Sequence, residues 1–298
     1  MPPLPRERFV LLFCHGGGLH KGVWTPIIRR LQAATLLQSV ACDYVAFDWR
    51  YHATSACKDD PATLFYEEND PHRPRVDHPG MLWPQWAPEQ LSAVLKELKS
   101  EDEELVRTTK IGVWSPIIRR LQAATVLQSV ACEYVAFDWR YHATNAGSME
   151  EAIAHAKQSR AYRRWHPESL DAFLMGAIQQ SSDDTVRLTT PLLHEAAFYC
   201  HVAINYTEDQ LARVRCPVVF EYGSHTGLCN LFGIRELVDA LPERFTLAEP
   251  LEHYSHQMVV EAPDECAERI LMRLKTLRFF IHQHNRLQPG GADQISRL

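Results

Sequence analysis

Two short runs concentrate side chains able to do chemistry: His15-Gly16-Gly17-Gly18 near one end, and His253-Tyr254-Ser255-His256 near the other. The pair His253 and His256 has a metal-ligand spacing, but no third ligand stands at a matching interval, so no metal site is expected. Two serines beside helix-start signals read as structural. Ser115 stands in Ser115-Pro116, the pattern of a helix N-cap followed by proline, and Ser148 heads Ser148-Met149-Glu150-Glu151, a capping box. Gly223-Ser224-His225-Thr226-Gly227 fits a turn at the end of a strand, and Glu221 is an acid at that strand's last positions. Cys14 precedes the glycine run and reads as a small buried side chain. The eight cysteines include no Cys-x-x-Cys pair and are expected to be reduced thiols.

These residues sit at the ends of elements that the hydrophobic pattern defines. Residues 9–14 form a short apolar run, read as a buried parallel strand that stops at the glycine loop. Thr25-Pro26 reads as an N-cap followed by proline at the first helical position, opening a helix through Ile27, Ile28 and Leu31, and residues 44–48 form a second strand. Residues 55–86, rich in Pro, Asp and His, read as a long surface loop. An amphipathic helix spans 88–99, and a strand spans 108–113. Beyond residue 147, helices are expected at about 149–160 and 165–180, with a mixed stretch at 181–205. Strands at 216–222 and 244–249 flank a helix at 235–241. A long terminal helix at 263–283 points Ile270, Leu271, Leu274, Leu277 and Ile281 inward. Strands alternating with helices predict an α/β fold, a mostly parallel sheet with helices on both faces. The helical stretch 149–212 interrupts the alternation and predicts a cap.

Residues 22–54 and 112–144 are nearly the same sequence at an offset of 90, with three differences in 33 positions: Thr25/Ser115, Leu36/Val126 and Asp43/Glu133. Two copies do not make a solenoid. Near-identity over such a length points to a recent duplication or a misassembled gene model.

Three motifs resemble the α/β-hydrolase family. They are His15-Gly16-Gly17-Gly18 after the first strand, Asp48-Trp49-Arg50-Tyr51-His52 after the second, and the run from His253 to Pro263, similar to the family's Gly-His-x-x-x-x-Glu-x-Pro loop. The resemblance implies the α/β-hydrolase fold over residues 1–284, with His256 as general base and Gly16 and Gly17 as backbone donors of the oxyanion hole. The family's acid position falls on Thr226, which leaves Glu221 as a substitute. The family's nucleophile lies in Gly-x-Ser-x-Gly, a motif absent from this sequence. Ile111-Gly112 begins that turn, but Trp114 stands where serine belongs and Pro116 where the second glycine belongs, with Ser115 one position displaced. The duplicated block therefore overwrites the nucleophile turn, and its own helix and strand are expected to take the place of the family's next pair.

The chain has 298 residues, is 46% hydrophobic and 23% charged, and carries a formal net charge of −6, which argues against nucleic-acid partners. No apolar run reaches the ~20 residues of a membrane span. The first residues lack the apolar core of a secretory signal. Residues 285–298 are expected to be a flexible tail ending in Ser296-Arg297-Leu298, a variant of the peroxisomal address read by an import receptor. With that tail, the layout resembles fungal peroxisomal hydrolases, including those of host-selective toxin clusters. The resemblance implies an ester, thioester or related acyl substrate and no cofactor. Two further readings stay open: a non-catalytic member that binds a ligand or partner, and a faulty gene prediction whose true transcript encodes a normal elbow.

Overall fold

The computed structural model describes residues 8–55, 61–67, 70–100, 110–114, 148–181, 185–200, 211, 213–214, 216–226, 231–277 and 280–281. Strand β1 (Arg8–Cys14) lies between two parallel partners. It pairs with β2 (Ala41–Phe47) from Arg8 opposite Ala41 to Cys14 opposite Phe47, and with β5 (Lys110–Trp114) from Phe9 opposite Lys110 to Phe13 opposite Trp114. A strand paired on both edges and covered on both faces must be apolar throughout, as residues 9–14 are.

The period of two in a strand sorts these side chains between two cores. Phe9, Leu11 and Phe13 face α1 (Thr25–Ala33) and the C-terminal helix through Trp24, Ile27, Leu31, Ile270 and Leu274. Leu12 and Cys14 face Trp83, Trp86 and Ala87 of α3 (Trp83–Ser100), together with Trp49 and Phe198. The sheet is thus covered on both faces, as the sequence predicts.

Several boundaries differ from the sequence reading, each for a packing reason. Thr25 is the first residue of α1 and not its cap, because a 3₁₀ turn at Lys21–Trp24 runs directly into the helix. A short helix, α2 (Thr35–Gln38), precedes β2. The expected loop 55–86 contains an antiparallel hairpin, β3 (Thr63–Glu67) and β4 (Asp70–Asp77). Helix α3 starts at Trp83, earlier than Pro88, because Trp83 and Trp86 anchor its first turns against Phe198.

The stretch expected as a cap contains α4 (Met149–Gln158), α5 (Pro167–Ala177), the antiparallel pair β6 (Ile178–Gln180) and β7 (Val186–Leu188), and α6 (Leu192–Tyr199). Ser148 caps α4 through the Glu151 N–H, as the capping box requires. A second parallel pair, β8 (Val218–Phe220) and β9 (Phe245–Leu247), flanks α7 (Leu231–Ala240).

The short α8 (Met258–Glu261) leads into α9 (Pro263–Lys275). Leu277 and Ile281, expected inward, are exposed, while Phe280 is buried edge-on to Phe9 at 5.1 Å. The duplicated helix and strand after Trp114 lie outside the described residues. Among the described residues, no helix is long and apolar enough to cross a membrane.

Phe13 is fully buried against Trp24, with ring centroids 5.3 Å apart. Truncating it leaves a cavity between the sheet and α1. We expect Phe13→Ala to cost about 3–5 kcal/mol in urea unfolding; a loss below about 1 kcal/mol would contradict this packing.

Candidate active site

The chain leaves β1 through His15 and the three glycines. Gly18 has φ 72°, a left-handed conformation that glycine adopts without strain, and it turns the chain toward the 3₁₀ segment. The Leu19 N–H closes the turn on the Gly16 carbonyl at 3.3 Å. Among the described residues, neither the Gly16 nor the Gly17 N–H donates a hydrogen bond. Both remain available to an anion.

His15 locks this loop to the one after β2. Its Nε2 accepts the Trp49 N–H at 3.1 Å, which assigns the proton to Nδ1, where it is donated to the Gly16 carbonyl at 2.8 Å. The Trp49 indole N–H returns a bond to the His15 carbonyl at 2.8 Å. Burial, with the nearby His52 as a second cause, holds His15 well below the ordinary histidine range, so it is a neutral structural imidazole. Asp48 accepts the Lys21 N–H at 2.7 Å and lies 3.6 Å from the Lys21 ammonium. Tyr51 and Ala53 have φ of 68° and 43°, so this second loop is wound through left-handed backbone.

His20 ties the glycine loop to α5. Its Nε2–H donates to the Phe173 carbonyl at 2.7 Å, and its Nδ1 accepts the Gly22 N–H at 3.0 Å. A Cβ on Gly176 would come within 2.3 Å of the His20 ring, so glycine is required there for the ring to fit. Burial lowers the His20 pKa as well. Sequence reasoning missed His20, because its partner lies 153 residues away.

His256 is half-buried in a loop fixed from several directions. His253 has φ 70°; its N–H donates to Ser224 Oγ at 2.9 Å, and its carbonyl accepts from Arg164. The Ser255 N–H and hydroxyl both donate to the buried Glu261 carboxylate, at 2.7 and 2.9 Å. The Tyr254 carbonyl accepts the His225 N–H at 2.9 Å. Gly223 lies directly under the loop: a Cβ there would stand 2.2 Å from the Tyr254 oxygen and 2.4 Å from that of Ser255.

Glu221 is buried, but its carboxylate is held by Arg273 at 2.9 Å and Arg269 at 3.5 Å, both on α9. The structure therefore brings Glu221 to the terminal helix and not to His256. Gly112-Val113-Trp114 lies in β5, so Trp114, at the expected serine position, is strand backbone opposite Phe13. Ser115, the next residue, and the tail Ser296-Arg297-Leu298 lie outside the described residues. Among the described residues, no group of three or more His, Cys, Asp or Glu side chains is arranged to hold a metal ion.

A parallel sheet covered on both faces, with a glycine loop after β1 and a histidine loop before the last helices, is the α/β-hydrolase fold. The peroxisomal alpha-beta-hydrolase Lpx1 of Saccharomyces cerevisiae is similar over 96% of this chain and 80% of its own, with TM-score 0.61 and 15% identity. E-2-(acetamidomethylene)succinate hydrolase is similar over 91% and 93%, with TM-score 0.60 and 13% identity. The thioesterase domain of the curacin biosynthetic pathway is similar over 89% and 92%, with TM-score 0.53 and 14% identity. No protein-family model and no curated protein matches the chain in sequence.

Two predictions follow from the geometry of these loops. Gly223→Ala must displace the histidine loop, lowering stability by roughly 2–3 kcal/mol in thermal or urea unfolding; an unchanged midpoint would mean the loop is not seated on Gly223. The second concerns pH. With folded pKa values lowered, His15 and His20 stay neutral while the unfolded chain binds protons below about pH 6.5. Stability is therefore full above that pH and is lost as pH falls toward the folded values, by up to about 1.4 kcal/mol per unit for each histidine. His15→Gln should be less stable than wild type at pH 7.5 and show a shallower loss at pH 5.5 in parallel urea titrations.

Proposed function

We propose that this chain is an ester or thioester hydrolase for acyl substrates, with His256 as general base and the Gly16 and Gly17 N–H groups receiving the oxyanion. The observation that carries this reading is the pairing of two undonated amide N–H groups after the central strand with a histidine loop held on every side by hydrogen bonds. In the reaction, histidine takes the proton of a nucleophilic hydroxyl as it attacks the acyl carbon. The negative oxygen settles against the amides; as the intermediate collapses, the alcohol or thiol leaves with the proton from the histidine, and water, activated by the same histidine, then releases the acid from the acyl-enzyme. Ser115, which follows the described part of β5 in the chain, is the candidate nucleophile, and Glu221 is a weak candidate for the acid because two arginines already hold it. The segment 149–212 serves as the cap over an apolar acyl pocket. No cofactor takes part.

The place of action in this reading is the peroxisome, reached through the import receptor for Ser296-Arg297-Leu298. A part in fatty-acid-like or toxin biosynthesis is its finer form. The tail motif and the likeness in fold to a protein named as peroxisomal support it.

One observation favours a second reading, a ligand-binding protein without turnover: the expected elbow residues Gly112, Val113 and Trp114 are strand and not turn. Loss of a serine nucleophile costs on the order of 10⁶ in kcat. The test is labelling of the purified chain with a fluorophosphonate probe and mapping of the adduct, beside His256→Ala. The hydrolase reading expects one labelled serine, lost in the variant; no adduct on folded protein would leave the binding reading standing.

A further inference from the structure

Three consecutive residues just before α5 each bond the histidine loop. Arg164 donates to the His253 carbonyl and pairs with Glu261 at 3.2 Å. The Trp165 indole N–H donates to Gln257 Oε1 at 2.9 Å, and the His166 backbone N–H donates to the Val260 carbonyl at 2.9 Å.

The first two attachments flank His256, one three residues before it and one directly after it. His253 is held in left-handed backbone with its N–H on Ser224 and its carbonyl on Arg164, so Arg164 supplies half of what keeps that turn in place. Glu261, whose carboxylate is buried, needs a cation, and Arg164 is the arginine placed on it. The segment that carries Arg164 and Trp165 is itself fixed. α5 is buried through Leu170, Phe173 and Leu174, and it accepts the His20 N–H from the glycine loop.

The geometry points to Arg164 and Trp165 as positioning residues for His256. The orientation of the imidazole is set from the helical segment above the sheet as well as from the sheet, and that same segment holds the glycine loop. Both halves of the site are thereby registered on α5. This inference rests on His256 being the base, and it adds what aims it.

The test uses the full chain labelled with ¹⁵N-histidine, whose ring correlations report tautomer and order, with the His256 signals assigned by His256→Gln. Arg164→Gln should shift and broaden the His256 signals and mix its tautomers, while the buried His15 and His20 signals stay in place. Trp165→Phe should act in the same direction more weakly, and Arg164→Lys should restore part of the wild-type spectrum. In ester hydrolysis, Arg164→Gln should lower kcat on the order of 10–100-fold with KM unchanged. Identical His256 signals in wild type, Arg164→Gln and Trp165→Phe would overturn the inference. A wild type with no turnover and no fluorophosphonate adduct would overturn the hydrolase reading instead, while the ring signals would still decide the role of Arg164.

Discussion

Strand β1 has no side that faces water, and the rest of the structure follows from that constraint. Its edges are paired with β2 and β5, and its side chains alternate between the core under α1 and α9 and the aromatic core under α3. A strand so enclosed has no exposed face or edge, and its C-terminal end runs into the glycine loop. That end is where His15 and the glycines emerge, and it is the place where a parallel sheet with helices on both faces binds ligands.

The loops at that end are held less by hydrophobic contact than by buried, directional hydrogen bonds. His15 joins the loops after β1 and β2, His20 joins the first of these to α5, and the residues before α5 join it to the histidine loop. Each of the two imidazoles acts as donor on one nitrogen and acceptor on the other, which requires the neutral form. Burial supplies that form by making the charged one costly. These two histidines are structural, buried and neutral, whereas His256 is half-buried.

The duplicated sequence shows how far context governs local structure. Gly-Val-Trp occurs in both copies. At Gly22, Val23 and Trp24 it forms a 3₁₀ turn, with the Gly22 N–H on His20 and Trp24 fully buried against Phe13. At Gly112, Val113 and Trp114 it is a strand pairing with β1. Three residues carry too little intrinsic preference to choose, so the neighbours decide: a capping histidine two residues earlier in one copy, an unpaired strand edge in the other.

Local sequence patterns determined the α/β class, the burial of residues 9–14, the cap at Ser148 and the start of α9 at Pro263, because each depends on residues near one another in the chain. The motifs located the glycine and histidine loops for the same reason. The early start of α3 and the inward Phe280 were decided by tertiary packing, through aromatic contacts with residues far along the chain, and the hairpin within the expected loop 55–86 is tied to a distant segment by the Arg75 bond to the Cys200 carbonyl. The same holds for the site. Glu221 is acidic and stands at the end of a strand, which sequence can show. That its carboxylate is held by Arg269 and Arg273 of α9, while Arg164 reaches the histidine loop from another segment, depends on how distant segments pack, a relation no local pattern encodes.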